Sequence, residues 1–173
     1  MSLDHLWAGW RMAYVSSASG GGPQASAVGP LAPDECVFCA IFAAEASDEE
    51  KLVVHAGAEV IVMLNAFPYA SGHLMVMPKR HLRRLDELTE SEAAELWPTL
   101  QKAVSVLEQA YSPEGMNVGL NLGRAAGAGI PAHLHVHAVP RWVGDTNFMT
   151  VTASTRVLPE ALADSLERLR KSW

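Results

Sequence analysis

The segment His133-Leu134-His135-Val136-His137 places an imidazole at every second position and runs on into Ala138-Val139-Pro140-Arg141. Side chains of a strand alternate between its two faces. The spacing therefore predicts three imidazoles on one face, with Leu134, Val136 and Ala138 sealing a core on the other. Imidazole ligates metals and exchanges protons near neutral pH, so such a row points to metal or phosphate chemistry. A neutral ring nitrogen can attack phosphorus and form a covalent nucleotidyl-histidine, which splits one difficult displacement into two. His135, flanked by a ring on each side, is the predicted nucleophile. His137 is expected to donate to a phosphate oxygen where charge develops.

Two further groups of residues carry chemistry. Cys36-x-x-Cys39, with His81 and His133, offers a complete Cys2His2 set for a tetrahedral zinc. A redox dithiol and a pair of buried free cysteines stay open as alternatives. The loop from Gly123 through Gly127 to Gly129 can turn backbone N–H groups inward as a nest for an anion, or can be an ordinary glycine-rich turn. Lys79, Arg124 and Arg141 are candidate phosphate partners that could equally be solvated charges. His5 and His55 have no motif around them, and the seven methionines read as core.

The elements that must position these residues are legible in outline. A short helix is expected from Cys36 to about Ala46. Leu52–His55 and Glu59–Leu64 read as strands joined at Gly57, and His73–Met77 as a third. Thr89-Glu90-Ser91-Glu92 fits a capping box, opening a long helix to about Tyr111 that Pro98 should kink or split. Met116–Leu122 and Leu134–Val139 are the fourth and fifth strands, and Leu158–Arg170 a C-terminal helix. Before all of these, Leu6–Val15 reads as an apolar docked segment. Residues 16–33, rich in Gly, Ser, Ala and Pro, read as a flexible loop. One long helix without strand–helix alternation predicts an α+β fold on a mostly antiparallel sheet.

Composition narrows the function. At 173 residues, 49% hydrophobic and 18% charged, the chain is expected to be one globular domain, 1–173. A net charge of −6 leaves no electrostatic footprint for long nucleic acid. No apolar run approaches the ~20 residues of a membrane span. The start lacks a basic stretch followed by an apolar one, so no secretory signal is read and the cytoplasm is the expected location.

The motifs together resemble the histidine triad (HIT) superfamily of nucleotide hydrolases and transferases, almost from end to end. The resemblance rests on Leu-Trp-Ala-Gly-Trp-Arg near the N-terminus, Cys36-Val-Phe-Cys39, Asn65, Gly72-His73, Pro78-Lys79-Arg80-His81 and the triad with its Pro140-Arg141. Asn117–Gly123, the run from His133 to Trp142 and Gly144-Asp145-x-Asn147-Phe148 look most like the bacterial phosphorylases of diadenosine tetraphosphate. The resemblance implies a five-stranded antiparallel sheet with one long helix and short N- and C-terminal helices, and a homodimer. It implies Asn65 on the ribose, His73 in the nucleotide-binding hairpin, Asn121 on phosphate, and one structural zinc on Cys36, Cys39, His81 and His133. The expected activity is nucleotidyl transfer from dinucleoside polyphosphates through His135, to phosphate or water. A nucleoside phosphoramidase and a non-catalytic nucleotide- or zinc-binding module are the other readings. In one place the chain departs from the pattern. The Gly-Gln and Ser or Thr that usually precede the triad are replaced by Gly129-Ile130-Pro131-Ala132.

Overall fold

The computed structural model describes residues 35–146 and 159–173. The expected apolar segment Leu6–Val15, the loop 16–33, Asn147, Phe148 and Leu158 lie outside them. In chain order the elements are α1 (Val37–Ala43), β1 (Val53–Ala56), β2 (Val60–Leu64), β3 (Leu74–Pro78), α2 (Glu90–Tyr111), β4 (Gly115–Leu120), β5 (Val136–Arg141) and α3 (Leu162–Ser172). The five strands form one sheet in the order β1-β2-β3-β5-β4, and every neighbouring pair is antiparallel. The expected class holds, with element ends displaced by one to four residues.

The alternation of the strands builds two apolar layers. Val60, Val62 and Leu64 of β2, Leu74 and Val76 of β3, and Val136 and Ala138 of β5 face the long helix. They meet Leu96, Leu100, Ala103 and Leu107, whose spacing of three and four residues keeps them on one side of α2. Leu166 and Leu169 of α3 complete that layer. Ile61, Met63, Met75 and Met77 point the other way and pack on Phe38 and Ile41 of α1. Central β2 is buried along its whole length.

The capping box at Thr89 forms as expected. The Thr89 hydroxyl accepts from the Glu92 N–H at 3.1 Å, and the Glu92 carboxylate accepts from the Thr89 N–H at 2.8 Å. Pro98 does not split the helix: α2 is continuous over 22 residues. Proline removes the N–H that would bond the carbonyl four residues back. Both Pro98 and Ala94 are exposed, so water can satisfy that carbonyl.

The helix is tied to the β1–β2 turn by a contact no sequence pattern announced. Glu95 accepts from the backbone N–H groups of Glu59 and Val60 at 3.0 and 3.1 Å. Gly57 makes room for it, because a Cβ there would sit 2.1 Å from the Glu95 carboxylate.

Candidate active site and metal centre

The histidine row is not a single strand face. β5 begins at Val136, so only His137 lies within it; His133 sits in a bend and His135 in the lead-in. The bend separates the tasks of the three rings. His133 turns toward α1 and the cysteines, while His135 and His137 stay together at 4.8 Å between ring centroids, edge to face. Nor is the imidazole face open. His133 is 1% and His135 6% exposed, and Phe38 of α1 packs edge-on against both at 5.5 Å.

Hydrogen bonds fix the tautomer of each ring. A carbonyl can only accept. His135 Nδ1 lies 2.7 Å from the His133 carbonyl oxygen, so it carries the proton, and Nε2 keeps the lone pair. Burial pushes the His135 pKa down, opposed by that same backbone bond. The ring is thus held neutral with a free nucleophilic nitrogen.

His137 is fixed from behind. The backbone N–H of Tyr69 donates to His73 Nδ1 at 3.1 Å, so His73 carries its proton on Nε2. That proton is donated to His137 Nδ1 at 2.9 Å. His137 therefore carries its own proton on Nε2, as a donor for an anion. Burial, with the neighbouring His135, pushes the His137 pKa down to about 4, so at neutral pH this is a neutral donor. Tyr69 stacks over the pair, 4.6 Å from His73 and 5.8 Å from His137.

His73 is itself 0% exposed. Its ring is turned to His137 and the Tyr69 backbone rather than to solvent. Asn65, at the end of β2 and 8% exposed, uses its Oδ1 to accept from the Phe67 N–H at 2.9 Å. Its oxygen is committed to the local turn, which leaves its amide N–H groups for any ribose. Asn121 follows β4; the ladder pairs Leu120 with Val136, and one further step puts Asn121 opposite His135. In the loop beyond, Gly123 and Gly127 adopt φ of +81° and +88°, a region only glycine enters freely, around a 3-10 turn at Arg124–Ala126. Gly129 follows without positive φ.

Two of the three cations named as phosphate partners are engaged elsewhere. Arg141 makes a two-pronged ion pair with Asp145 at 2.6 and 2.8 Å and bonds Asn117 Oδ1 at 2.7 Å. The Lys79 ammonium donates to the Gly57 carbonyl at the β1–β2 turn. Of the three, Arg124 alone makes no side-chain hydrogen bond or ion pair among the described residues.

Cys36, Cys39, His81 and His133 converge from three elements, with ligating atoms all within 4.8 Å of one another. Cys36 Sγ is 3.4 Å and Cys39 Sγ 3.6 Å from His133 Nδ1, and Cys39 Sγ is 3.2 Å from His81 Nδ1. The donor chemistry fits a metal. His133 Nε2 donates to the Pro78 carbonyl at 2.8 Å, which turns the Nδ1 lone pair toward the thiols in the orientation that ligating histidines need. Burial, reinforced by the bond to Cys36, pushes the Cys39 thiol up to about 11. Without a cation the Cys39 thiol holds its proton; a metal would displace it. Two sulfurs and two nitrogens match a closed structural zinc site.

Arg80 steadies this corner. It forms a two-pronged bond to buried Glu92 at 2.8 and 2.7 Å and donates to the Glu87 carbonyl. The residue before His81 is thereby pinned to the start of α2. Sequence reading missed this pair, and Tyr69 too, which sits in a turn without any distinguishing pattern.

A family model for the HIT domain matches residues 46–143. The chain belongs to the HIT domain family. It is 43% identical over 171 residues to AP-4-A phosphorylase of Mycobacterium tuberculosis, spanning 99% of this chain and 85% of that one. An asymmetrical bis(5'-nucleosyl)-tetraphosphatase of Schizosaccharomyces pombe is 38% identical over 82 residues, covering 47% of this chain and 44% of its own. Among solved structures, a Zn-bound histidine triad family protein from Mycobacterium smegmatis superposes with a TM-score of 0.63 at 27% identity, covering 80% of this HIT chain and 92% of its own. The ST2152 histidine triad nucleotide-binding protein of Sulfolobus tokodaii gives 0.64 at 28% identity, with 79% and 91% covered.

Proposed function

We propose that this HIT protein transfers a nucleotidyl group from a dinucleoside polyphosphate, diadenosine tetraphosphate in the first instance, through a covalent intermediate on His135, with inorganic phosphate as the acceptor. The observation that carries the reading is the pair of opposed tautomers. His135 presents a lone pair on Nε2, and its neighbour His137 presents a proton on Nε2. That is the pairing nucleophilic displacement at phosphorus requires. In the first step His135 Nε2 bonds to the α-phosphorus, and the bond to the leaving nucleoside polyphosphate breaks. His137 Nε2–H stabilises the charge that gathers on the phosphate oxygens. In the second step an oxygen of inorganic phosphate attacks the same phosphorus, the P–N bond breaks, and His135 returns to its neutral form. Asn65 is assigned to the ribose, and Asn121 with the Gly123–Gly129 loop to phosphate oxygens. The 43% identity to a phosphorylase along nearly the whole chain supports phosphate as acceptor.

A zinc on Cys36, Cys39, His81 and His133 would crosslink α1, the segment after β3 and the lead-in to β5, with all four positions filled by protein. The edge strand β4 leaves Val118, Leu120 and nearby Leu122 exposed. A long apolar edge invites pairing with a second copy, which supports a homodimer through β4. No helix among the described residues is long and apolar enough to cross a membrane. The cytoplasm is the location assigned.

Water as acceptor is the second reading, favoured by the match to a tetraphosphatase. One experiment separates the two. Diadenosine tetraphosphate is incubated with the protein, with and without millimolar phosphate. ADP plus ATP, with cleavage stimulated by phosphate, is the expected result. AMP plus ATP indifferent to phosphate assigns the hydrolase, and no cleavage of any nucleotide refutes the enzyme.

A further inference from the structure

A cavity of about 710 Å³ opens at the His133 end of the triad, between the segment after β3 and the Gly123 loop. Its wall includes Arg80, His81, Arg83, Glu87, Arg124 and Ala132. Most of the charge there is already spoken for. Arg80 is held by Glu92. The Glu87 carboxylate accepts from the backbone N–H groups of Arg83 and Arg84 at 2.8 and 3.1 Å. His81 Nδ1 faces Cys39. That leaves the guanidinium groups of Arg83 and Arg124, from two different loops on one recess, both exposed and neither hydrogen-bonded to a carboxylate among the described residues, although the charge of Arg83 adds to the backbone bonds that lower the Glu87 pKa.

The two ends of the triad therefore differ. Beyond His137 stand Tyr69, His73 and Asn65, a neutral surface. Beyond His133 stands a cationic recess, in a chain whose net charge is −6. The catalytic rings, in the tautomers fixed by their hydrogen bonds, supply a lone pair and a donor but no formal charge. Lys79 and Arg141 are engaged elsewhere. A polyphosphate carries a charge on every phosphate, and two oxygens on one phosphorus match the planar fork of a guanidinium. Ala132 on the recess wall is three residues from His135, at most about 10 Å of backbone and less across the bend at His133, a span that a chain of phosphates can bridge.

We infer that the recess binds the distal phosphates of the dinucleoside polyphosphate through Arg83 and Arg124. Phosphate-chain length is then read at the end of the triad opposite the Asn65–His73 hairpin. The inference rests on the nucleotidyl-transfer reading above and adds the determinant of substrate length.

The test is the double variant Arg83→Ala/Arg124→Ala, with its fold checked by melting. Two substrates are compared: diadenosine tetraphosphate, and the p-nitrophenyl ester of AMP, which carries the same nucleotidyl group but no distal phosphates. The ratio of kcat/KM for the first over the second should fall by about 10- to 100-fold, the loss of one or two charge-assisted hydrogen bonds. Raising the salt should shrink that difference. An unchanged ratio, whether both rates hold or both fall together, overturns the proposal. So does a variant that loses only the stimulation of ester cleavage by phosphate, since that places the acceptor phosphate in the recess. If the parent cleaves neither substrate, the nucleotidyl-transfer reading fails by itself. Calorimetric binding of inorganic tripolyphosphate then decides the recess: tenfold or greater weakening in the variant sustains it, and equal binding or none refutes it.

Discussion

His73→Phe removes two hydrogen bonds, neither to a substrate, and it should still slow the chemistry. His73 is fully buried, and phenylalanine keeps much of the ring volume while deleting both nitrogens. The Tyr69 N–H loses its acceptor and His137 Nδ1 loses its donor. A buried polar atom left unpaired costs about 1–3 kcal/mol. His137 can escape its share by moving its proton to Nδ1, which turns Nε2 from donor to acceptor. Partial loss of the correct tautomer predicts a fall in kcat of about 10- to 100-fold, since a catalytic imidazole wholly in the wrong tautomer can cost ~10⁴. KM should change little. The assay is steady-state cleavage of diadenosine tetraphosphate by the parent, His73→Phe, His137→Ala and the double variant, with melting temperatures for each. If His73 acts only through His137, the double variant is no slower than His137→Ala, because coupled residues do not add. A double variant whose loss equals the product of the two single losses refutes the relay, as does a His73→Phe enzyme with unchanged kcat.

Several other outcomes are expected. His135→Asn should lose on the order of 10⁴-fold or more in kcat and form no covalent nucleotide on rapid quenching; activity within tenfold of the parent removes His135 from its role. Protein purified without chelator should contain one zinc per chain by metal analysis, and Cys36→Ser should lower both zinc content and melting temperature; a metal-free parent of full stability excludes the site. Arg80 holds the Glu92 carboxyl down at about 2, helped by the Thr89 N–H. A carboxyl depressed in the fold stabilises above its ordinary value of 4.5 and loses that contribution as pH falls toward 2. Arg80→Ala should therefore lower stability at pH 7 by denaturant titration, and the loss should shrink below pH 4. Burial lowers the pKa of His137 to about 4, so the acid limb of kcat/KM should lie below pH 6; a limb at 6.5 or above contradicts a buried neutral donor.

What the sequence disclosed was periodic or stoichiometric. The Thr89 capping box, the α2 face at Leu96, Leu100 and Ala103, and the alternation of β2 all follow from spacing. The four metal donors were legible because their chemistry is complete as a set, although the histidines lie far from the cysteines in sequence. The row of histidines misled in one respect. Its period of two is a strand signal, but Pro131 and the bend at His133 keep the first two rings out of the ladder. Charges were the least legible. Nothing local distinguishes Arg141, which reaches Asp145, from Arg124, which reaches no carboxylate among the described residues. Their partners are set by loop geometry. The burial of His73 and its bond to His137 were not legible, because burial is a tertiary property.

His133 joins the Cys2His2 cluster to His135, the proposed nucleophile, and the join is made of three atoms. Its Nδ1 faces the cysteine sulfurs, its Nε2–H is held by the Pro78 carbonyl, and its own carbonyl oxygen receives the His135 Nδ1 proton. The first two contacts fix the ring, and through the bend they fix the peptide plane that aims the carbonyl. A metal in that corner would hold His133 from the α1 side, where Cys36 and Cys39 sit at the start of α1 and no strand hydrogen bond reaches. His135 itself lies before the start of β5, outside the ladder that steadies His137. The nucleophile thus sits on irregular backbone, and its orientation comes from the neighbour that closes the zinc-ligand set. Irregular backbone is costly to hold still. In this chain the Cys2His2 cluster, the Arg80–Glu92 pair and the Pro78 carbonyl at the end of β3 all converge on the same few residues, so the rigidity His135 needs is supplied from outside β5.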